Sequence, residues 1–391
     1  MLAFLFPGQG SQRPGMGRPW QDHESWELVE EASAISGRDV ARLLLDADAD
    51  ELKDTRYAQL TTFVSSLMVL DAVERLGVEP SICAGHSLGE YTALTANGAL
   101  GFDDGVRLVM ERGDAMHEAG QASPGAMSAV LGLDDDLVEV ACRRADDNVW
   151  VANFNAPGQV VIAGSPSGIE KATVHAKELG AKKVMALPVS GAFHTPFMNA
   201  ARDRLRVALA AAGPRDTDVP IISNVDALAH QRGDEWASLL SAQLCSPVRW
   251  RQVLLEIAKQ SIAGYVELGP GGVLSGMVKR TVDGARVISV STPDELDSLL
   301  EWVSQVAPPK TAAHDGEHLF VVERLVVSPA AGVFSQRTDI ADGARIDVGT
   351  VLGRVGDIEV RSPFAGILQS FIAHEGERLA MREPVAWLRT H

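Results

Sequence analysis

The chain has 391 residues and a formal net charge of −17 at pH 7, and 22% of its residues are charged. The length predicts two or three domains, and the acidic balance disfavours general nucleic-acid binding. No uninterrupted apolar run approaches the ~20 residues of a membrane span, and the apolar start at residues 1–6 is broken by Pro7 and lacks a basic leader, which predicts a strand rather than a signal peptide. Three widely separated cysteines, Cys83, Cys142 and Cys245, indicate a reducing, cytoplasmic compartment without a disulfide framework or a zinc motif.

The first predicted strand runs into a glycine-rich loop, Gly8-Gln9-Gly10. This pattern alone fits either a tight turn or a loop whose backbone amides face a site, where Gln9 would add a side-chain amide. After the loop, helices are predicted over 24–36, 39–45 and 55–76. Asp39 is a plausible N-cap of the second helix, and the third helix carries Gln59.

The segment Ala84-Gly85-His86-Ser87-Leu88-Gly89-Glu90 follows a predicted buried strand and precedes a helix predicted over 91–99. Glycines two residues on either side of Ser87 complete the G-x-S-x-G pattern. The serine must adopt a strained backbone to project its hydroxyl from such a turn, and side chains at the glycine positions would clash. The amide of Leu88 then points where an oxyanion would form. In this strand–turn–helix context the pattern predicts a nucleophilic serine.

An amphipathic helix predicted over 102–118 carries Arg112, which by default is a solvated surface charge. Between about 124 and 190, strands and helices follow in the order βαββαβ. This order predicts a small ferredoxin-like subdomain inserted into a larger α/β unit.

His194 lies in a loop just before a helix predicted over 199–212. A lone loop histidine is usually structural, but a serine nucleophile needs a base. His86 is poorly placed for that role, because neighbouring residues on a sharp turn point apart. The remaining predicted elements are a strand at 219–225, helices at 235–243 and from about 246–250, a strand and helix start at 264–274, a strand at 287–291 and a closing helix at 294–305.

Six segments stand out in order along residues 1 to about 305. They are FPGQGSQ at 6–12, GHSLGE at 85–90, ANFNAPGQ at 152–159, GAFH at 191–194, SNV at 223–225 and ELGPG at 267–271. Together they resemble the motifs of the malonyl-CoA:acyl carrier protein transacylases of fatty acid and polyketide synthesis. One such motif can arise by chance, whereas six in order are very specific.

The resemblance implies that Ser87 is the nucleophile and His194 its general base, without an acid to complete a triad. A backbone carbonyl, which aligns with Gln243, would accept from the far ring nitrogen of the histidine and so fix its tautomer. The backbone amides of Gln9 and Leu88 would form the oxyanion hole.

The resemblance also changes the interpretation of Arg112, which in malonyl-selective members pairs with the free carboxylate of the acyl group. Phe193 matches malonyl rather than methylmalonyl members, although Gly191 stands where the usual polyketide version has histidine. The implied reaction is ping-pong transfer of malonyl from malonyl-CoA to the phosphopantetheine thiol of acyl carrier protein, through a malonyl ester on Ser87.

Acyl carrier proteins are acidic, and this chain is acidic too, so docking would need a local basic patch. The candidate cations are Lys182, Lys183, Arg249, Lys279 and Arg280. Any one of them taken singly also fits a solvated surface charge.

The composition changes after residue 306. Residues 307–317 are predicted to be a linker, and 318–391 contain an internal repeat, in which SPAAGV at 328–333 and GARI at 343–346 echo SPFAGI at 362–367 and GERL at 376–379. These halves resemble the biotinyl/lipoyl carrier domain, whose hairpin tip carries a modified lysine. The junction at 355–361 has no lysine, and none follows Lys310. The resemblance therefore implies a carrier fold without biotin, lipoyl or any other cofactor.

The complete prediction for 1–306 is an α/β-hydrolase-like large subdomain with an inserted ferredoxin-like subdomain. A degenerate biotinyl/lipoyl-like domain, a small all-β flattened barrel, follows at 318–391. That domain could dock to a partner such as a carboxylase or the fatty acid machinery, oligomerise, or be an inert remnant. Three other functions stay open: a malonyl transferase serving malonate decarboxylase, a thioesterase with the same serine and histidine, and a scaffold acting through the C-terminal domain. Arg112 and the missing triad acid speak against the thioesterase.

Overall fold

The computed structural model describes residues 1–189, 191–306, 323–381 and 383–389. The chain divides into two compact units, Met1–Pro309 and Lys310–His391. The predicted linker at 307–317 lies outside the described residues. Within the described part of the chain, no helix combines the length and the apolar character needed to cross a membrane.

The strands of the first unit are β1 Leu2–Phe6, β2 Ile82–Gly85, β3 Ala126–Leu131, β4 Val149–Ala156, β5 Gln159–Gly164, β6 Lys183–Ala186, β7 Ile221–Ile222, β8 Ala229–His230, β9 Gly264–Leu268 and β10 Val287–Val290. Its α-helices are α1 Glu27–Ser36, α2 Val40–Leu45, α3 Thr55–Arg75, α4 Gly89–Ala96, α5 Phe102–Ala122, α6 Asp135–Arg144, α7 Pro166–Glu178, α8 Asn199–Ala212, α9 Gly233–Gln243, α10 Trp250–Ala258, α11 Val273–Thr281 and α12 Leu296–Val306. Short 3₁₀ turns lie at Arg18–Trp20, Glu24–Trp26, Glu51–Lys53, Pro196–Met198 and Pro293–Glu295.

The larger sheet has the strand order β10-β9-β1-β2-β7-β8 and is parallel except for the last pair. Its central strand β1 reads Leu-Ala-Phe-Leu-Phe and is buried throughout, as expected for a parallel strand covered on both faces. Phe4 and Phe6 pack into one hydrophobic cluster, while Ala3 and Leu5 pack into another. The two clusters hold the strand between layers of helices. Because β1 and β2 are parallel neighbours, their carboxyl ends lie side by side.

The smaller sheet is antiparallel and has the strand order β4-β5-β3-β6. Its strands and the helices α6 and α7 follow one another along the chain as βαββαβ, and the helices pack on it through their own apolar cluster. The chain order is the one predicted for about 124–190. A backbone hydrogen bond of 2.9 Å from Phe154 N–H to the Val248 carbonyl ties the small sheet to the segment before α10.

Several predicted boundaries are wrong, and the largest error concerns the strand at 219–225. It shrinks to Ile221–Ile222, because the Asn224 N–H and side chain turn to Glu90 and to the Gly85 carbonyl, and Ser223 bonds within the turn before β8. The helix predicted over 24–36 begins with a 3₁₀ turn, α4 occupies Gly89–Ala96 rather than 91–99, and α5 continues to Ala122. Asp39 is the predicted N-cap of α2, and its carboxylate accepts from the Arg42 amide at 2.9 Å.

The second unit consists of β-strands in its described part: β11 Glu323–Val327, β12 Gly332–Gln336, β13 Arg345–Ile346, β14 Val351–Val355, β15 Ile358–Arg361, β16 Gly366–Phe371, β17 Arg378–Leu379 and β18 Pro384–Arg389. They form two antiparallel sheets, β11-β18-β16-β13 and β15-β14-β12-β17. Buried apolar side chains such as Phe334, Leu352 and Leu368 fill the space between them.

The sequence repeat in this unit is also a structural repeat. Ser328 and Ser362 are both buried, and each hydroxyl donates to the carbonyl two residues later. The two halves exchange strands, since β12 of the first pairs with β17 of the second and β16 of the second pairs with β13 of the first. The halves therefore share one core rather than folding as separate hairpins.

Candidate active site

Ser87 lies on a sharp turn between the end of β2 and the start of α4. Its φ is +53°, a left-handed conformation that is costly for a residue other than glycine. The flanking glycines allow this turn to pack, because a Cβ on Gly85 would lie 1.8 Å from the Gly89 carbonyl oxygen and a Cβ on Gly89 would lie 2.0 Å from the Phe6 carbonyl oxygen. The turn thus holds the Ser87 hydroxyl at the carboxyl edge of the large sheet, where ligands of α/β folds bind.

His194 is placed to act on that hydroxyl. Its Nε2 lies 2.8 Å from Ser87 Oγ, and its Nδ1 lies 2.8 Å from the backbone carbonyl oxygen of Gln243. A carbonyl can only accept, so Nδ1 carries the proton and Nε2 of the neutral ring has a free lone pair facing the hydroxyl. This geometry can accept the serine proton when a bond forms at Oγ.

Burial lowers the pKa of His194 to about 3, and the positive charge of Arg112 acts in the same direction. A lowered pKa keeps the imidazole neutral, which is the form that works as a base. The same shift makes the imidazolium formed during reaction more acidic than free imidazolium, which favours return of the proton to a leaving group.

Arg112 is the third side chain at the Ser87 hydroxyl, although it is only 1% exposed and lies in the middle of α5. One terminal nitrogen donates to Ser87 Oγ and to Gln243 Oε1, each at 3.0 Å, and the other donates to Gln59 Oε1 at 2.6 Å. The guanidinium carbon also lies 5.3 Å from the ring centroid of Tyr91. Its oxygen partners are uncharged, and no carboxylate in the described part of the chain lies within ion-pair distance of it.

The two amides predicted as oxyanion donors belong to different loops, one directly after Ser87 and one that lines the same cavity as Ser87. Leu88 is the N-cap of α4, and Gln9 lies in the loop after β1, where its side-chain Oε1 accepts from the Thr55 hydroxyl at 2.8 Å. Within the described residues, neither backbone N–H donates a hydrogen bond. Both donors are therefore free to bind an oxygen of a ligand.

These groups meet at a cavity of about 390 Å³ between the two sheets of the first unit. Its volume falls within the range of small-molecule sites. Side chains of the predicted motifs line it, together with apolar residues: Gln9, His86, Ser87, Arg112, Met127, Asn153, Asn155, Phe193, His194 and Met277. Phe193 is buried and also borders a neighbouring cavity on the side of His117.

The structure also shows where His86 and the five candidate docking cations lie. His86 is directed away from Ser87, and its Nε2 lies 2.8 Å from Asn155 Oδ1. The five cations proposed for carrier docking, Lys182, Lys183, Arg249, Lys279 and Arg280, are all exposed.

Sequence reasoning missed three buried polar residues around the turn. Asn224 accepts the Ser87 N–H through Oδ1 at 2.7 Å, Gln59 binds Arg112, and Glu90 contacts the side chain of Gln243. Gln59 carried no clear signal, because its helix has other polar residues nearby, such as Thr61 and Thr62. The signals for Asn224 and Glu90 were their places inside two of the six motifs.

Comparison with known proteins identifies the family of this chain. Residues 3–299 match the model of the acyl transferase domain family. The chain belongs to the acyl transferase domain family. It is 39% identical over 309 residues to the malonyl CoA-acyl carrier protein transacylase of Bacillus subtilis, covering 78% of this chain and 98% of that protein. It is 40% identical over 307 residues to the Escherichia coli K12 protein of the same name, covering 77% and 99%.

Solved acyl transferase structures also match this chain. The acyl-carrier-protein S-malonyltransferase of Burkholderia pseudomallei superposes with a TM-score of 0.74 at 41% identity, covering 77% of this chain and 99% of that one. A malonyl-transacylase solved in complex with its type II PKS acyl-carrier protein superposes with a TM-score of 0.74 at 35% identity, with coverage of 77% and 99%. The first unit therefore has the α/β fold of this family.

Proposed function

We propose that this acyl transferase moves a malonyl group from malonyl-CoA to the phosphopantetheine thiol of an acyl carrier protein. The observation that carries the proposal is Arg112, whose buried guanidinium lies 3.0 Å from Ser87 Oγ and has only uncharged oxygen partners. A buried cation beside the reacting atom favours an acyl group that brings its own carboxylate. Malonyl meets this requirement and acetyl does not.

In the first half-reaction, Ser87 Oγ attacks the thioester carbonyl carbon while His194 Nε2 takes the hydroxyl proton. The carbonyl oxygen becomes an oxyanion, which the amides of Gln9 and Leu88 stabilise. The carbon–sulfur bond then breaks, His194 returns the proton to the departing sulfur, and a malonyl ester remains on Ser87.

In the second half-reaction, the carrier thiol takes the place of the CoA thiol. His194 accepts the thiol proton as sulfur attacks the ester carbonyl, and the same two amides hold the second oxyanion. Collapse releases Ser87 Oγ, which recovers its proton from His194. The carrier leaves as a malonyl thioester, and the cycle uses side chains and backbone amides only.

Intact-protein mass spectrometry tests this function. The protein incubated with malonyl-CoA should gain one malonyl group on Ser87, and addition of holo carrier protein should move that group to the carrier. Apo carrier protein, which lacks the phosphopantetheine thiol, is the matched control and should leave the ester in place. Rapid loss of the ester to water without any carrier would instead identify a thioesterase, and absence of the ester would refute the proposal.

For the second unit we propose a biotinyl/lipoyl-like fold that serves as a docking module. The exchanged strands of its two halves and the two-residue turn Gly356-Asp357 between β14 and β15 support this assignment. The turn replaces the lysine-bearing tip of a true carrier domain, and the sequence has no lysine after Lys310. The unit would then bring the transferase to a carboxylase that makes malonyl-CoA or to the fatty acid machinery.

Deletion of residues 318–391 tests the docking role. Transfer to free holo carrier protein should keep its kcat, because every side chain proposed for the reaction lies in the first unit. A collapse of kcat on deletion would contradict the docking role. In an affinity capture with purified components, the full chain should retain a carboxylase, and the chain without residues 318–391 should not.

We further propose that the enzyme serves fatty acid or polyketide synthesis, as the transferred group and the named relatives suggest. The location is cytoplasmic, a proposal supported by the free thiols of Cys83, Cys142 and Cys245.

A further inference from the structure

Glu90 is a completely buried carboxylate that the proposed reaction does not use. It lies on the first turn of α4, three residues after the nucleophile. Its Oε1 accepts from the Asn224 backbone N–H at 2.9 Å, and its Oε2 accepts from Gln243 Nε2. The carboxylate therefore joins three separate elements, namely α4, the loop after β7 and the end of α9.

Both partners of Glu90 in turn hold the backbone of Ser87. Asn224 Oδ1 accepts the Ser87 N–H at 2.7 Å, and Gln243 Nε2 donates to the Ser87 carbonyl oxygen at 2.8 Å. The left-handed turn at Ser87 is thus clamped on both sides of the residue by groups that Glu90 anchors.

The orientation of the Gln243 amide decides what Arg112 contacts. Burial raises the pKa of Glu90 to about 7, while the N–H groups of Asn224 and Gln243 and the charge of Arg112 favour its ionised form. In that form, Gln243 Nε2 faces two groups that only accept, the Glu90 carboxylate and the Ser87 carbonyl, while Oε1 faces the guanidinium, which only donates. Rotating the amide by half a turn would set oxygen against oxygen on one side and N–H against N–H on the other. Glu90 and Arg112 therefore bind opposite ends of one amide and polarise it in the same sense.

We propose that Glu90 is a positioning residue that makes the site selective for a dicarboxylic acyl group, by fixing the Gln243 amide so that its oxygen holds Arg112 beside Ser87. Because the amide separates the two charges, Glu90 balances the buried cation without forming an ion pair with it. The guanidinium therefore keeps N–H groups for the carboxylate of the substrate, including the Nε–H, which has no partner in the described structure. This inference rests on the proposed malonyl transfer.

Substitution of Glu90 by glutamine tests the proposal with nearly no change of volume. One of the two carboxylate oxygens becomes an NH₂ group, which faces an N–H of either Asn224 or Gln243. The amide of Gln243 can relieve this conflict by rotating, and its own NH₂ then displaces Arg112. Acylation of Ser87 by malonyl-CoA should fall at least about tenfold further than acylation by acetyl-CoA, because acetyl has no carboxylate for the guanidinium and loses only the hydrogen bond from Arg112 to Ser87 Oγ.

Thr92→Val is the matched control, because Thr92 is buried on the same helix and its hydroxyl has no hydrogen-bond partner in the described structure. The preference for malonyl over acetyl should be unchanged in this variant. Glu90→Asp keeps an acceptor-only carboxylate, so it should retain the malonyl preference even if both rates fall. Glu90→Asp also tests the proposal if the Glu90→Gln variant does not fold.

The assay is single-turnover acylation followed by intact-protein mass spectrometry, run on the full chain with both acyl-CoAs. Equal losses for malonyl and acetyl in Glu90→Gln, or loss of the malonyl preference in Glu90→Asp, would overturn the positioning role, because a purely structural defect lowers both rates alike. Failure of the wild-type protein to form a malonyl ester would instead refute the proposed function. The two failures are therefore distinguishable.

Discussion

Replacing Arg112 by alanine should convert this acyl transferase from a malonyl-selective enzyme into an unselective one. The substitution removes the guanidinium that donates to Ser87, Gln59 and Gln243, and it leaves space where the carboxylate of the acyl group would bind. Because the site is almost fully buried, water does not replace the lost cation effectively.

The expected magnitude follows from what each acyl group loses. Leaving a buried carboxylate without its hydrogen-bonded cation costs about 3–5 kcal/mol, which at about 1.4 kcal/mol per factor of ten lowers acylation by malonyl-CoA about 10²–10⁴-fold. An acetyl group loses only the support that Arg112 gives to Ser87 Oγ, a hydrogen bond with a net value of about 0.5–1.5 kcal/mol. Its acylation should therefore fall about tenfold or less.

Single-turnover acylation with each acyl-CoA measures both effects on one preparation. Arg107→Ala is the matched control, because Arg107 lies on the same helix but is exposed and pairs with Asp103 at the surface. Its two rates should stay at wild-type values. An equal loss of malonyl and acetyl acylation in Arg112→Ala would refute the assignment of Arg112 to the carboxylate.

Three further predictions concern the turn and the base. Gly85→Ala should lower Tm sharply, since its Cβ would lie 1.8 Å from the Gly89 carbonyl oxygen; a wild-type Tm in calorimetry contradicts this. Asn224→Ala removes the acceptor of the Ser87 N–H and should slow malonyl and acetyl acylation alike, by about tenfold; a selective loss argues against it. Acetyl acylation should keep its rate from about pH 8 to about pH 5, because the lowered pKa of His194 keeps the base neutral; a fall centred near pH 6.5 would disprove it.

Much of the fold was predictable because its elements carry local signals. The apolar run of β1, the G-x-S-x-G turn and the period of α5 each follow from residues close in sequence. The strand at 219–225 was predicted too long, because its true ends depend on contacts that are not local in sequence. Its apolar and β-branched residues favour a strand, but Asn224 forms hydrogen bonds with Glu90 and Gly85, which are distant in sequence.

The sequence predicted which residues the candidate site contains, but it did not predict which of them are joined by hydrogen bonds. The resemblance implied roles for Ser87, His194 and Arg112, and the structure brings these three side chains together. An arginine on an amphipathic helix nevertheless has by itself no signal that distinguishes a buried guanidinium from a surface charge. Only the packing of α3 against α5, together with the approach of Gln243 at the end of α9, brings the two glutamines to the guanidinium and removes it from water.

By itself, the sequence determined the chemistry of the turn, since only glycine tolerates the approach of backbone oxygens at 85 and 89, and it determined the absence of an attachment lysine after Lys310. The tertiary structure decided which polar groups meet there. Glu90 and Gln243 lie more than a hundred residues apart in the chain, and their contact exists only because α4 and the end of α9 converge behind Ser87. Local residue patterns encode backbone conformation, whereas hydrogen-bond partners across a core depend on how separate elements pack.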